Sequence, residues 1–189
     1  MKQLILPAFL MMAAQPALAV DVTEEMIVYA QDQMRQIAQN PNFIDAIRAQ
    51  NTKTETLSAA QVIQLDRTWR AETASWPRPM IRAALSNPVS TRLAHLAQDS
   101  GGRLCEVFVM DARGLNVGQS TITSDYWQGD EAKFTETYPK GSDAMHVSEI
   151  ELDESTQAYE GQVTFTVKDP DSGEIIGAVT FGIDASQFL

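Results

Sequence analysis

Two adjacent glycines, Gly101 and Gly102, divide this sequence into halves with different hydrophobic periods. Before them, Met26, Ala30, Met34 and Ile37 recur at helical spacing, as do Val89, Leu93 and Leu96. Such spacing lines one face of an α-helix. After the glycines the period becomes two: "LCEVFVMD" and "GQVTFTVKD" alternate as half-buried strands do. A chain whose helices all precede its strands lacks the β-α-β alternation that builds a parallel sheet. The expected class is α+β: a long first helix and shorter ones packed on an antiparallel sheet of about five strands.

Local punctuation sets the expected helix ends. Thr23 reads as the N-cap of a first helix beginning at Glu24, whose acidic first turn suits the helix dipole, with Val22 and Ile27 as a hydrophobic staple. That helix should stop near Asn40-Pro41, because a proline restricts the residue before it. Asn40 then caps a second helix that starts with Pro41 and carries Phe43 and Ile47 on one face. Ser58-x-x-Gln61 is a capping box opening a third helix with Val62, Leu65 and Trp69. The prolines of "SWPRPM" interrupt it. Asn87-Pro88 opens a fourth helix, which the paired glycines end.

The strands predict their own faces. Val163, Phe165 and Val167 share one side of a strand, and Gln162, Thr164, Thr166 and Lys168 the other. In "EIIGAVTFGID", Val179, Phe181 and Ile183 oppose Ala178, Thr180, Gly182 and Asp184. The apolar face requires cover, which the first helix can supply. The opposite face is small and hydroxylated, and so leaves either room above the sheet or a solvated surface. "MHVSEIEL" reads as a third strand, "SDYWQGDEAKF" as a loop with a helical turn, and "PDSG" as a tight turn. Asp143, Glu149, Glu151, Asp153 and Glu154 read as a solvated edge that discourages strand-to-strand association.

The first residues, "MKQLILPAFLMMAAQPALAV", combine Lys2, a short apolar stretch and Ala17-Leu18-Ala19, the pattern of a cleavable secretory signal over residues 1–19. The remainder, 20–189, reads as one exported, periplasmic domain without stable membrane insertion. With 14 Lys+Arg against 25 Asp+Glu the formal charge is −11, which disfavours nucleic acid as a partner. The single cysteine, Cys105, sits in an apolar run and reads as a buried small hydrophobe. His95 and His146 lack zinc-ligand spacing. "DPDSGE" lacks the twelve-residue calcium-loop pattern and reads as a hairpin turn. No nucleophile-base order or phosphate-binding glycine loop stands out, so neither an enzyme nor a cofactor is expected.

Three stretches in this order, "FVMDARGLNVGQS", "TSDYWQGDEAKF" and "IIGAVTFGID", resemble the Cache family of PAS-like (PDC) extracytoplasmic sensor domains, over roughly residues 22–188. The resemblance implies a small-molecule sensor, its ligand held between the sheet and an overlying lid. On this sequence it places Asp125, Tyr126 and Trp127 above the pocket, and Thr164, Thr166 and Thr180 as its floor. Asn116 or Ser120 forms the side, and Trp69 and Arg70 close it from the third helix. Tyr126 and Trp127 supply rigid aromatic faces, and Asp125 with Asp130 can pair a cation, so an amine or amino acid is expected and a carboxylate is the other class. Because the sequence ends at Leu189 just after the last strand, the expected partner is a separate membrane sensor kinase or chemoreceptor. The competing reading is a protein-interaction regulator of a membrane signalling protein, with no small-molecule ligand.

Overall fold

A computed structural model describes residues 17–152 and 158–189. The secretory signal expected over residues 1–19 falls mostly outside them, as do Asp153 and Glu154. The first helix, α1, runs Ala17–Ala38. Thr23 therefore lies inside the helix and is not its cap: Ala17 to Val22 contain no glycine or proline to start the helix later. Its Met26, Ala30 and Ile37 are buried in the core. Among the described residues no helix is long and apolar enough to cross a membrane.

The next helices follow their caps. Asn40 Oδ1 accepts the amide of Asn42 and opens α2, Pro41–Thr54. Ser58 and Gln61 form the full reciprocal capping box of α3, Ala59–Ala74. The "SWPRPM" prolines end α3, but Pro79 also starts a short helix that the sequence reading omits: α4, Pro79–Leu85. A proline at the first helical position sacrifices no intrahelical bond. Both carboxylate oxygens of Glu72 accept its first amides, from Met80 and Ile81. Asn87 caps α5, Pro88–Asp99, after which Gly101 and Gly102 take φ of 67° and 92°.

The sheet is antiparallel. Strand β1 is Leu104–Asp111, β2 Asn116–Gln119, β3 Met145–Val147, β4 Glu151–Leu152, β5 Tyr159–Lys168 and β6 Ile175–Asp184. Their order is β2-β1-β6-β5-β3, with β4 also pairing β5. The single strand expected over "MHVSEIEL" is thus two short pieces, Ser148, Glu149 and Ile150 lying between them. A short helix, α6, Ala132–Thr135, and a 3-10 turn, Tyr138–Lys140, lie between β2 and β3.

Strand parity sorts the side chains as the sequence predicts. Val107, Val109, Val163, Val167, Val179, Phe181 and Ile183 enter one core with α1, α2 and α5. Phe108, Met110 and Ala178 point the other way and pack under Phe134 and Tyr138, whose rings stack at 5.1 Å. The hydroxylated face is therefore covered in part. Thr164 and Thr180 are fully buried, and their hydroxyls bond each other at 2.9 Å. Cys105 is half-buried, not buried; desolvation, then Glu160, pushes its thiol up to about 12, which leaves it a poor nucleophile. The "DPDSG" turn is pinned by Arg48 of α2, which bonds Asp169 and Asp171.

Candidate functional site

The segment after β2 is held against α3 by one acid. Asp66 Oδ1 accepts the backbone amides of Tyr126 and Trp127 at 2.9 and 3.1 Å. Its Oδ2 accepts Arg70 Nε at 2.7 Å, one helical turn on. Arg70 Nη1 in turn lies 2.6 Å from Asp125 Oδ1. One guanidinium thus links the helix to the loop. Burial raises the pKa of Asp125, and Arg70 only partly opposes that rise.

The aromatic residues build this wall. Trp69 is fully buried, donates Nε1–H to Thr123 O at 2.8 Å and stacks on Tyr126 at 5.5 Å. Burial lifts the Tyr126 phenol to about 12. Trp127 pairs with Leu115 as an isolated bridge and donates Nε1–H to Arg113 O at 2.8 Å. Two glycines permit this approach: a Cβ on Gly129 would sit 2.3 Å from Trp127 Nε1, and one on Gly114 2.5 Å from Gly129 Cα. Asn116 Nδ2 donates to Thr123 Oγ1 and to Asp125 O, closing the loop onto β2.

Between this wall and the sheet lies a hollow of about 740 Å³. Glu106 and Phe108 of β1 and Gln162 of β5 line it from the sheet. Arg70 and Thr73 of α3 line it from the side, Ile122, Thr123, Ser124 and Gln128 from the segment after β2, and Lys133 from α6. Gln162 Nε2 donates to Glu106 Oε1 at 3.0 Å. Lys133 Nζ lies 5.4 Å from the Phe108 ring centroid, 3.0 Å from Glu131 Oε2 and 3.3 Å from Gln128 Oε1. The lining therefore offers two cations from different elements, one carboxylate, two amides and one aromatic face. Its volume falls in the usual range for small-molecule sites. A second hollow, about 750 Å³, sits at the β3–β5 edge, and Glu149, Glu151 and Glu160 are among the residues that line it.

Of the residues expected at the site from sequence, Arg70 lines the hollow. Asp125, Tyr126, Trp127, Asn116 and Trp69 form the structure behind it. Ser120 Oγ accepts the Val107 amide, and Asp130 is exposed. Thr166 donates to Ser142 O and, like Thr164 and Thr180, is buried outside the lining. Glu106, Phe108, Gln128, Lys133 and Gln162 were not expected there. Strand parity carried the signal for three of them: Glu106 and Phe108 of β1 share the side of Gln162. Nothing periodic marks Gln128 or Lys133.

No protein-family model matches this chain, and no curated protein does. Solved sensor domains resemble it at low identity. The sensor domain of the V. cholerae histidine kinase DctB aligns with a TM-score of 0.48 and 14% identity, over 91% of this chain and 55% of that one. The sensory domain of the Campylobacter jejuni chemoreceptor Tlp3 gives 0.43 and 14%, over 92% and 66%. The E. coli DcuS sensor domain gives 0.41 and 16%, over 69% and 90%. The chain thus spans little more than half the length of the DctB domain.

Proposed function

We propose that this chain is a solute-binding sensor module that holds a zwitterionic small molecule, of the amino-acid class, between sheet and lid. The observation that carries the reading is the lining of the 740 Å³ hollow: Arg70 and Lys133 together with Glu106, over the Phe108 ring. Each cation already has a carboxylate neighbour, so the site does not call for an anion alone. A zwitterion meets both signs, its carboxylate toward Arg70 or Lys133 and its ammonium toward Glu106. A free amine or a simple carboxylate would satisfy only one of them. Occupation would displace water from Arg70, whose two acidic partners belong to α3 and to the lid loop, and so would couple the ligand to the lid.

Export to the periplasm, action through a separate membrane receptor and the absence of catalysis complete the proposal. The "KQLILPAFLMMAAQPALA" opening supports export. Trp76, 80% exposed with Arg78 5.8 Å from its ring, favours a protein contact as a second role. A thermal-shift screen of amino acids, amines and carboxylates tests the reading. A ligand at a hundred times its Kd stabilises the native state by about 2.7 kcal/mol. Zwitterions should raise the melting temperature, and Arg70→Ala or Glu106→Gln should abolish the rise. A wild-type protein that no member of the screen stabilises would overturn it.

A further inference from the structure

On β2, beside a strand that lines the hollow, lies a side-chain amide with nothing to bond. Gln119 is 1% exposed, yet neither its Nε2 nor its Oε1 has a hydrogen-bond partner among the described residues. Asn116, 2% exposed, leaves its Oδ1 unpartnered in the same way. Buried amides are almost always satisfied, because dehydrating them without a replacement bond is costly. The two residues belong to β2, and their pairing places them on the lid face: Gln119 opposite Phe108, and Asn116 opposite Met110. Phe108 lines the hollow. Thr123 lines it too, and Asn116 Nδ2 bonds the Thr123 hydroxyl. Gln119 is thus the cross-strand neighbour of one lining residue, and Asn116 is bonded to another.

We infer that Gln119 and Asn116 form a deep polar subsite of the hollow that reads a neutral hydrogen-bonding group at the far end of the ligand. The inference rests on the solute-site reading above and names what that site selects. Gln119 offers one donor and one acceptor, and Asn116 Oδ1 offers an acceptor. A hydroxyl or a carboxamide complements that set. A second ionised group does not fit, because Lys133, Arg70 and Glu106 line the outer hollow and the amides carry no charge to balance it. The selected class is therefore a zwitterion with a hydroxyl or carboxamide side chain. An apolar ligand of the same shape leaves the amides unsatisfied, and sites built to bond a ligand hydroxyl or amide reject the analogue that lacks it.

Isothermal titration of the full chain with matched pairs, L-threonine against L-valine and L-asparagine against L-leucine, tests this, beside the wider screen. At least one polar member should bind tighter than its apolar match by about tenfold or more. Gln119→Met, close in volume, should erase that preference while leaving the unliganded melting temperature equal or higher, since it removes an unpaired buried amide. Wild-type protein that binds no solute of the wider screen sinks the solute-site reading and this inference together. Binding in which the apolar members match or exceed the polar ones, or that is confined to solutes without a hydroxyl or carboxamide, overturns the subsite alone. So does a polar preference that survives Gln119→Met, the result expected if Gln119 merely holds an internal water.

Discussion

The two faces of the sheet are held by different forces. On one, Val107, Val163, Phe181 and their neighbours meet α1, α2 and α5 through apolar contact. On the other, a smaller apolar cluster of Phe108, Met110, Phe134 and Ala178 lies next to buried polar groups bonded in pairs and chains. Apolar packing is non-directional and tolerates small shifts. A bonded polar group has a specific partner, and losing that partner costs more than replacing both. The first face therefore supplies stability, and the second supplies positions. That division lets the lid face rearrange its bonded groups without loosening the packed face.

The largest expected effect is on the packed face. Phe181→Ala removes a fully buried ring from the main cluster and should cost about 3–5 kcal/mol in urea unfolding. A loss under about 1 kcal/mol would mean that this face is not the principal source of stability. On the lid face, Asp66→Ala strips the acceptor from the Tyr126 and Trp127 amides and from Arg70 Nε. The expected loss is about 1.5–3 kcal/mol, because the lost bonds are to a charged acceptor. Hydrogen exchange at those two amides should accelerate more than the global unfolding rate explains. If the loss were purely global, the lid would be part of the core and the contrast between faces would fail.

A subtler comparison uses the threonine pair. Thr180→Val orphans the Thr164 hydroxyl and should cost about 1–3 kcal/mol. Adding Thr164→Val replaces both partners with apolar groups and should restore most of the loss. A double variant no better than the single one would show that the hydroxyls answer to something other than each other.

What the sequence disclosed follows the same division. The packed face was legible because periodicity and caps are local: Asn40, Ser58 and Asn87 each bond within a few residues of themselves. Helix α4 was not, because Pro79 reads as a breaker until Glu72, seven positions earlier, is seen to accept its first amides. The start of α1 was misplaced because Thr23 has the chemistry of a cap but no breaker stands before it. On the lid face, the parity of Gln162, Thr164 and Thr166 was readable. The role of Trp127 was not: its indole bonds Arg113 O, a contact that depends on the path of a loop. Lys133 reaches the Phe108 ring across 25 positions of sequence, and no short-range pattern encodes that.

Acid provides the finest test of the contrast, because two aspartates respond to it with opposite sign. Asp169, on the hairpin that α2 clasps, has its pKa driven far below the usual carboxylate range, first by its bonds from Arg48. Its folded value lies below the unfolded one. Its contribution is complete above the unfolded value, near pH 4, and is lost as pH falls toward the folded one. Asp125, in the lid, is shifted upward, first by burial, against the pull of Arg70. Its native state holds the proton more tightly than the unfolded chain does, so its contribution is greatest below the unfolded value and declines as pH rises through the folded one. Melting temperatures measured between about pH 3 and pH 7 should therefore diverge in the two variants. Asp169→Asn should flatten the acid loss seen in wild type. Asp125→Asn should steepen it, because it removes a group that gains a proton in the native state first. Parallel curves for wild type and Asp125→Asn would mean that the lid carboxylate is as well solvated as an ordinary surface acid, and the lid would then be no more enclosed than the hairpin opposite.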